Sequence, residues 1–191
     1  MKTITLLSIL LLSLSGCGDT THSTATDPLT IPSAPPKPSI AEPGAVTLQF
    51  LRWYQTHESE ISALPLVNPP ADSTAFYSVN QRATERYLAL FNSTKLVSPE
   101  YLAYWKTYFE EAKRYFQTHP QHEGPPEGFE YDLVLQSQEI DLEQLTQAQV
   151  IQQTVEPNRA HVLVRLPDQQ KLRFTLQNQQ NHWLIDGIRA E

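Results

Sequence analysis

The spacing of apolar residues changes once along this chain, and that change dictates its fold class. Up to Phe116 they recur every three or four positions; from Tyr131 onward they alternate. Helical patterns first and two-residue patterns last specify an α+β protein, not a series of βαβ units. Val46, Phe50, Trp53, Tyr54 and His57 mark a first helix that begins after Pro43-Gly44. The prolines at 65, 69 and 70 make the next stretch irregular. Ala83, Tyr87, Leu90 and Phe91 mark a second helix over Val79 to Phe91, with Ser78 and Gln81 in capping-box positions. A third helix starts at Ser98, a suitable N-cap, followed by Pro99, whose missing N–H costs nothing there. Its apolar stripe is Leu102, Trp105, Phe109, Ala112 and Phe116, and Pro120 stops it.

Beyond the loop His119–Glu130 the pattern predicts a strand through Tyr131, Leu133 and Leu135, then a short helical turn near Asp141–Leu145. Three further strands follow: Gln149–Glu156, one around Ala160, Val162, Val164 and Leu166, and one around Leu172, Phe174 and Leu176. Asn178–Asn181 turns the chain into a last strand, His182–Arg189. Short polar connections require antiparallel neighbours. The expectation is three N-terminal helices packed on one face of a curved antiparallel sheet of four to five strands.

The first residues read as an address. Lys2 precedes an apolar run, Ile4–Leu14, which in a helix reaches only about 16 Å, half a bilayer core. This is the layout of a secretory signal. The run ends Leu14-Ser15-Gly16-Cys17, which resembles the lipobox of bacterial lipoproteins. The resemblance implies cleavage before Cys17, a diacylglycerol thioether on its sulfur and acylation (for example by palmitate) of the new N-terminus. Gly18 rather than Asp follows, which by the same resemblance favours the outer membrane, with the domain in the periplasm. Residues 1–16 are thus read as signal peptide and 17–44 as lipidated cysteine and tether. Six of the 26 residues from Gly18 to Pro43 are proline, and no apolar periodicity is present. Residues 45–191 form the single α+β domain.

Composition removes several function classes. Cys17 is the one cysteine, so neither a disulfide framework nor a multi-cysteine zinc site is available. The net charge is −7 with no basic run, which argues against nucleic acid as a partner. None of the six glycines forms a phosphate-cradling loop. No cofactor is indicated.

Two stretches carry a family resemblance. Phe50-Leu51-Arg52-Trp53-Tyr54 resembles the opening helix of a family of envelope lipoproteins of unknown function, and Trp183-Leu184-Ile185-Asp186-Gly187-Ile188 resembles its closing strand. The loop from Gly124 to Asp132 is similar too. With helices first and a β-meander last, the order resembles the nuclear transport factor 2-like, or cystatin-like, cone-shaped roll. The family implies no catalytic residues.

Candidate sites follow from these motifs and from side-chain chemistry. Asp132 and Asp186 sit in predicted strands; inside a cone either carboxylate would suit a general base, the isomerase-like alternative, while the plainer role is to fix backbone. Tyr101, Tyr104, Tyr108 and Tyr115 form a second stripe on the third helix, suited to a half-buried wall or a partner surface. Trp53, Tyr54, Tyr104, Tyr108, Asp132, Trp183 and Asp186 are therefore the candidates for ligand or partner binding. His119, His122 and Glu123 form the one histidine cluster, but Pro120 breaks their helix. His161, Arg165, Lys171, Arg173 and Thr175 share the outward face of two strands, a basic strip in an acidic chain. The reading is a membrane-anchored periplasmic lipoprotein whose domain docks to an envelope protein or holds a small ligand. An enzyme using a cone carboxylate and a toxin-immunity protein are the alternatives.

Overall fold

The computed structural model describes residues 41–138 and 142–191. Cys17, the signal segment and the tether up to residue 40 lie outside the described residues. The protein is α+β. Helix α1 (Pro43–Ser62), α2 (Gln81–Ser93) and α3 (Pro99–Thr118) precede a four-stranded antiparallel sheet of β3 (Gln149–Val155), β4 (Arg159–Arg165), β5 (Lys171–Gln179) and β6 (His182–Ala190). The sheet is a meander in the order β3-β4-β5-β6. A 3-10 helix, Leu142–Gln147, leads into it.

One face of the sheet carries the core. Ala160, Val162 and Val164 of β4, Leu172, Phe174 and Leu176 of β5, and Ile185 of β6 are fully buried. Against them pack Phe50, Leu51 and Tyr54 of α1, Tyr87 and Phe91 of α2, and Tyr101, Trp105 and Phe109 of α3. Phe50 and Phe174 meet edge-on at 6.2 Å, joining the first helix to the sheet centre. In α3 Trp105, Phe109 and Phe116 of the expected stripe are buried, but at its start Tyr101 is buried in place of Leu102, which sits at the margin.

The ends of the helices are set by local chemistry. Ser98 is the N-cap of α3, its hydroxyl accepting from Tyr101 N–H at 3.0 Å, with Pro99 in the first turn. The expected Ser78 capping box is not formed. Ser78 belongs instead to a two-residue strand, β2 (Ser78–Val79), paired with β1 (Val67–Asn68) inside the stretch read as irregular. Asn80 caps α2, accepting from Ala83 N–H at 3.1 Å. An amide oxygen one residue before the helix serves N2 or N3 as well as a hydroxyl, and Ser78 stands too far upstream.

Two further expectations are corrected. Tyr131–Gln136 is a turn, not a strand: Leu133, Val134 and Leu135 are all buried, which a two-residue alternation forbids. The last hairpin turn is only Gln180-Asn181, both at positive φ (52° and 66°), so β5 runs on through Gln179. This is the two-residue geometry that matches strand twist.

The outer edge of β6 is covered. Leu96 and Ser98 exchange backbone hydrogen bonds with Ile185, each 2.8 Å. Further along, the Gln136 side chain donates to Ile188 O and accepts from Ala190 N–H. A sheet edge closed in this way offers little template for pairing with another chain.

Candidate functional site

The loop between α3 and the 3-10 helix is held by Asp132. Its Oδ1 accepts from Val134 N–H at 2.9 Å and Leu135 N–H at 2.7 Å, and its own backbone bonds Gln136 and Ser137. This is the self-closing turn that a short carboxylate favours. Its Oδ2 accepts a short hydrogen bond from the Tyr54 hydroxyl. Tyr54, on α1, is 2% exposed, so this contact ties the loop to the helix layer from inside. Burial, then the neighbouring Asp132 charge, pushes the Tyr54 phenol far above its ordinary value, and it stays protonated as the donor.

Around this link stand more phenols. Tyr87 of α2 and Tyr101 of α3 are buried, and burial raises both. Their hydroxyls and the Trp105 indole N–H have no well-aligned hydrogen-bond partner. Tyr108, half-buried, donates to Gly128 O at 2.5 Å. Gly128 is required at that place: its φ is +83°, and a Cβ would stand 2.8 Å from the Tyr108 hydroxyl.

Three hollows open over this framework. The first, about 440 Å³, is lined by Tyr54, Glu58 and Tyr87 with Phe129, Tyr131 and Asp132. A second of about 520 Å³ adjoins it through Glu58, Phe129, Tyr131 and Asp132, and adds Glu130. The third, about 410 Å³, lies between Tyr104, Tyr108, Tyr131 and the end of β6. Tyr131 lines all three. It is 38% exposed and Tyr104 59%, two of the five large apolar side chains most open to solvent among the described residues. The result is an aromatic ridge with carboxylates beside it, of a size that ligands and partner anchors occupy.

The candidates drawn from sequence divide accordingly. Tyr54, Tyr104, Tyr108 and Asp132 come together here. Trp53 does not: it stacks on His57 at 4.9 Å and meets Phe91 edge-on at the back of α1. Trp183 is buried at the start of β6, near Pro43 and Val155. Asp186 stands at the sheet, where its Oδ1 accepts from Ser98 Oγ at 2.9 Å and Gln177 Nε2 at 3.1 Å. It fixes the α3 cap to the last strand. Glu58, Phe129 and Tyr131 were missed. Two aromatics in a loop dense in proline and glycine, Pro125-Pro126-Glu127-Gly128-Phe129-Glu130-Tyr131, were the available signal. His119 stacks on Tyr115 at 4.4 Å, and His122 meets Phe76 edge-on. Among the described residues no three metal-ligating side chains converge.

No known protein family matches this chain, and no curated protein matches it. Among solved structures it is similar to the type VI effector–immunity complex Tae3-Tai3 from Ralstonia pickettii, in native and selenomethionine forms. The native structure matches at 20% identity over 78% of this chain and 94% of that chain, with a TM-score of 0.44. The selenomethionine form matches at 20% identity over 78% and 96%, with a TM-score of 0.41. A likeness of this degree transfers no residue role.

Proposed function

We propose that this is a membrane-tethered, non-catalytic docking domain, anchored by a lipid on Cys17 at the outer membrane and facing the periplasm. Its partner is a protein that seats on the ridge of Tyr104, Tyr108 and Tyr131. The observation that carries the reading is Tyr131, an exposed aromatic shared by three adjoining hollows and flanked by Glu58, Glu130 and Asp132. Aromatic rings with a polar tip anchor interfaces well, and the carboxylates suit a partner that presents arginine or lysine. Asp132 already accepts three hydrogen bonds from its own chain, which favours a positioning role over that of a general base. A toxin-immunity role is a special case of the same docking, with the toxin as partner.

The test is cross-linked capture from membranes by the full lipidated chain. One protein should be recovered in stoichiometric amount and lost with Tyr104→Ser plus Tyr131→Ser, with thermal unfolding of the double variant checking that the fold is kept. Capture that survives the double variant would sink the proposed surface. Sequencing the captured protein separates an envelope component from a toxin. Cys17→Ser should move the protein from the membrane to the soluble fraction; retention at the membrane would refute the lipid anchor.

A further inference from the structure

The sheet face turned away from the helices differs in charge from the rest of the chain. The net charge is −7, yet Arg159, Arg165, Lys171, Arg173 and Arg189 all lie at outward positions of β4, β5 and β6. The register sets Arg173 directly opposite Arg189. Like charges in that relation destabilise a sheet. Glu191 pairs with Arg173, and Arg165 donates to Gln149. Arg159 and Arg189 have no ion-pair partner among the described residues.

The adjacent row reads His161, Thr175, Gly187 across three strands. Glycine weakens a strand, so its presence needs a reason. Gly187 adjoins the β-bulge at Asp186, a usual place for glycine, yet the bulge does not demand one: the φ of Gly187 is not left-handed, and an added Cβ would meet nothing within 4 Å. Its effect is to leave a hollow of about 390 Å³, walled by Arg159, Arg173 and Arg189 with His161 and Thr175 on its floor. Asp186 stands at one edge, its Oδ1 already held by Ser98 and Gln177.

We propose that this hollow binds a small ligand through an oxyanion group, phosphate or carboxylate. Guanidinium forks match both groups in two-point geometry, and a threonine hydroxyl and an imidazole add donors. The bound charge also relieves the repulsion between Arg173 and Arg189. Asp186 disfavours negative charge at its own edge, so the anion sits toward the arginines and an uncharged or cationic part of the ligand faces Asp186. The site meets the tyrosine ridge only at Arg189, which also lines the third hollow there, and it does not depend on the docking proposal.

Amide NMR of the full chain, titrated with inorganic phosphate and separately with acetate, tests it. Chloride at matched ionic strength is the control. At least one oxyanion should shift the resonances of Thr175, Gly187 and His161 in a saturable way, and the stronger of the two identifies the group. Gly187→Val fills the hollow with a side chain that strands favour, and the rest of its spectrum reports the fold. It should abolish the shifts, and Arg189→Gln should weaken binding about tenfold, the loss of one charged contact. Shifts that persist in folded Gly187→Val, or that chloride reproduces, or no shift with either anion, would overturn the proposal.

Discussion

Asp132 engages both carboxylate oxygens inside the protein. Val134 N–H and Leu135 N–H converge on one oxygen, and the Tyr54 hydroxyl donates to the other. Asp132→Ala leaves three donors without an acceptor, two of them in a turn whose next three side chains are buried. The expected cost is about 2–4 kcal/mol, since each buried donor stranded in this way costs about 1–3 kcal/mol and the loop relaxes in part. Asp132→Asn keeps an acceptor for the two amides and costs about 1 kcal/mol. Urea unfolding followed by circular dichroism checks both; an Ala variant as stable as the parent would show that the turn does not need its carboxylate. The sequence pointed to Asp132 for the wrong reason. Leu133 and Leu135 on either side of Val134 look like alternation, yet Val134 is as buried as they are. A short Asx turn gives no periodic signal, and its own carboxylate supplies the order that a neighbouring strand would.

At the scale of elements, the fold was legible wherever one side chain decides a boundary locally. Ser98-Pro99 announces α3 because hydroxyl cap and proline both act within one turn. The meander was legible because buried residues on β4 and β5 alternate without interruption. The β1–β2 pair was not, since two residues are too few to show a period and tertiary packing holds them. The last turn is narrower than its composition suggests, because Asn178 and Gln179 look like loop residues although both pair with β6. Gln180 and Asn181 take positive φ without being glycine. Left-handed backbone costs an ordinary residue about 1 kcal/mol, less for asparagine. Asn181→Gly therefore should stabilise the domain by up to about 1 kcal/mol, or raise Tm by about 2–4 °C for a domain of this size. Differential scanning calorimetry reads this directly, and a lower Tm would mean that the Asn181 side chain contributes contacts worth more than the backbone relief.

Across the whole molecule, phenols from every helix meet where the layers join: Tyr54 from α1, Tyr87 from α2, Tyr101 and Tyr108 from α3. The same junction backs the proposed docking ridge, so its integrity sets the surface. Each of these phenols is raised above the ordinary value of 10, burial being the largest cause in all four. The folded state thus holds these protons more tightly than the unfolded chain. Their contribution is complete below pH 10 and declines as pH rises beyond it, because only the unfolded chain then releases them. Each fully buried phenol adds a slope of about 1.4 kcal/mol per pH unit, so Tyr54, Tyr87 and Tyr101 together give about 4 kcal/mol per unit, with less from half-exposed Tyr108. A stability of about 5–15 kcal/mol is then exhausted within roughly one to four units above pH 10. The expected behaviour is cooperative alkaline unfolding in which tyrosinate absorbance from these groups rises together with the loss of circular dichroism. Tyr87→Phe, which removes a hydroxyl without a partner, should move the midpoint to higher pH. Tyrosinate absorbance from the three buried phenols that rises while the fold stays intact would mean the junction admits solvent, and the ridge above it would then be a mobile surface rather than a fixed one.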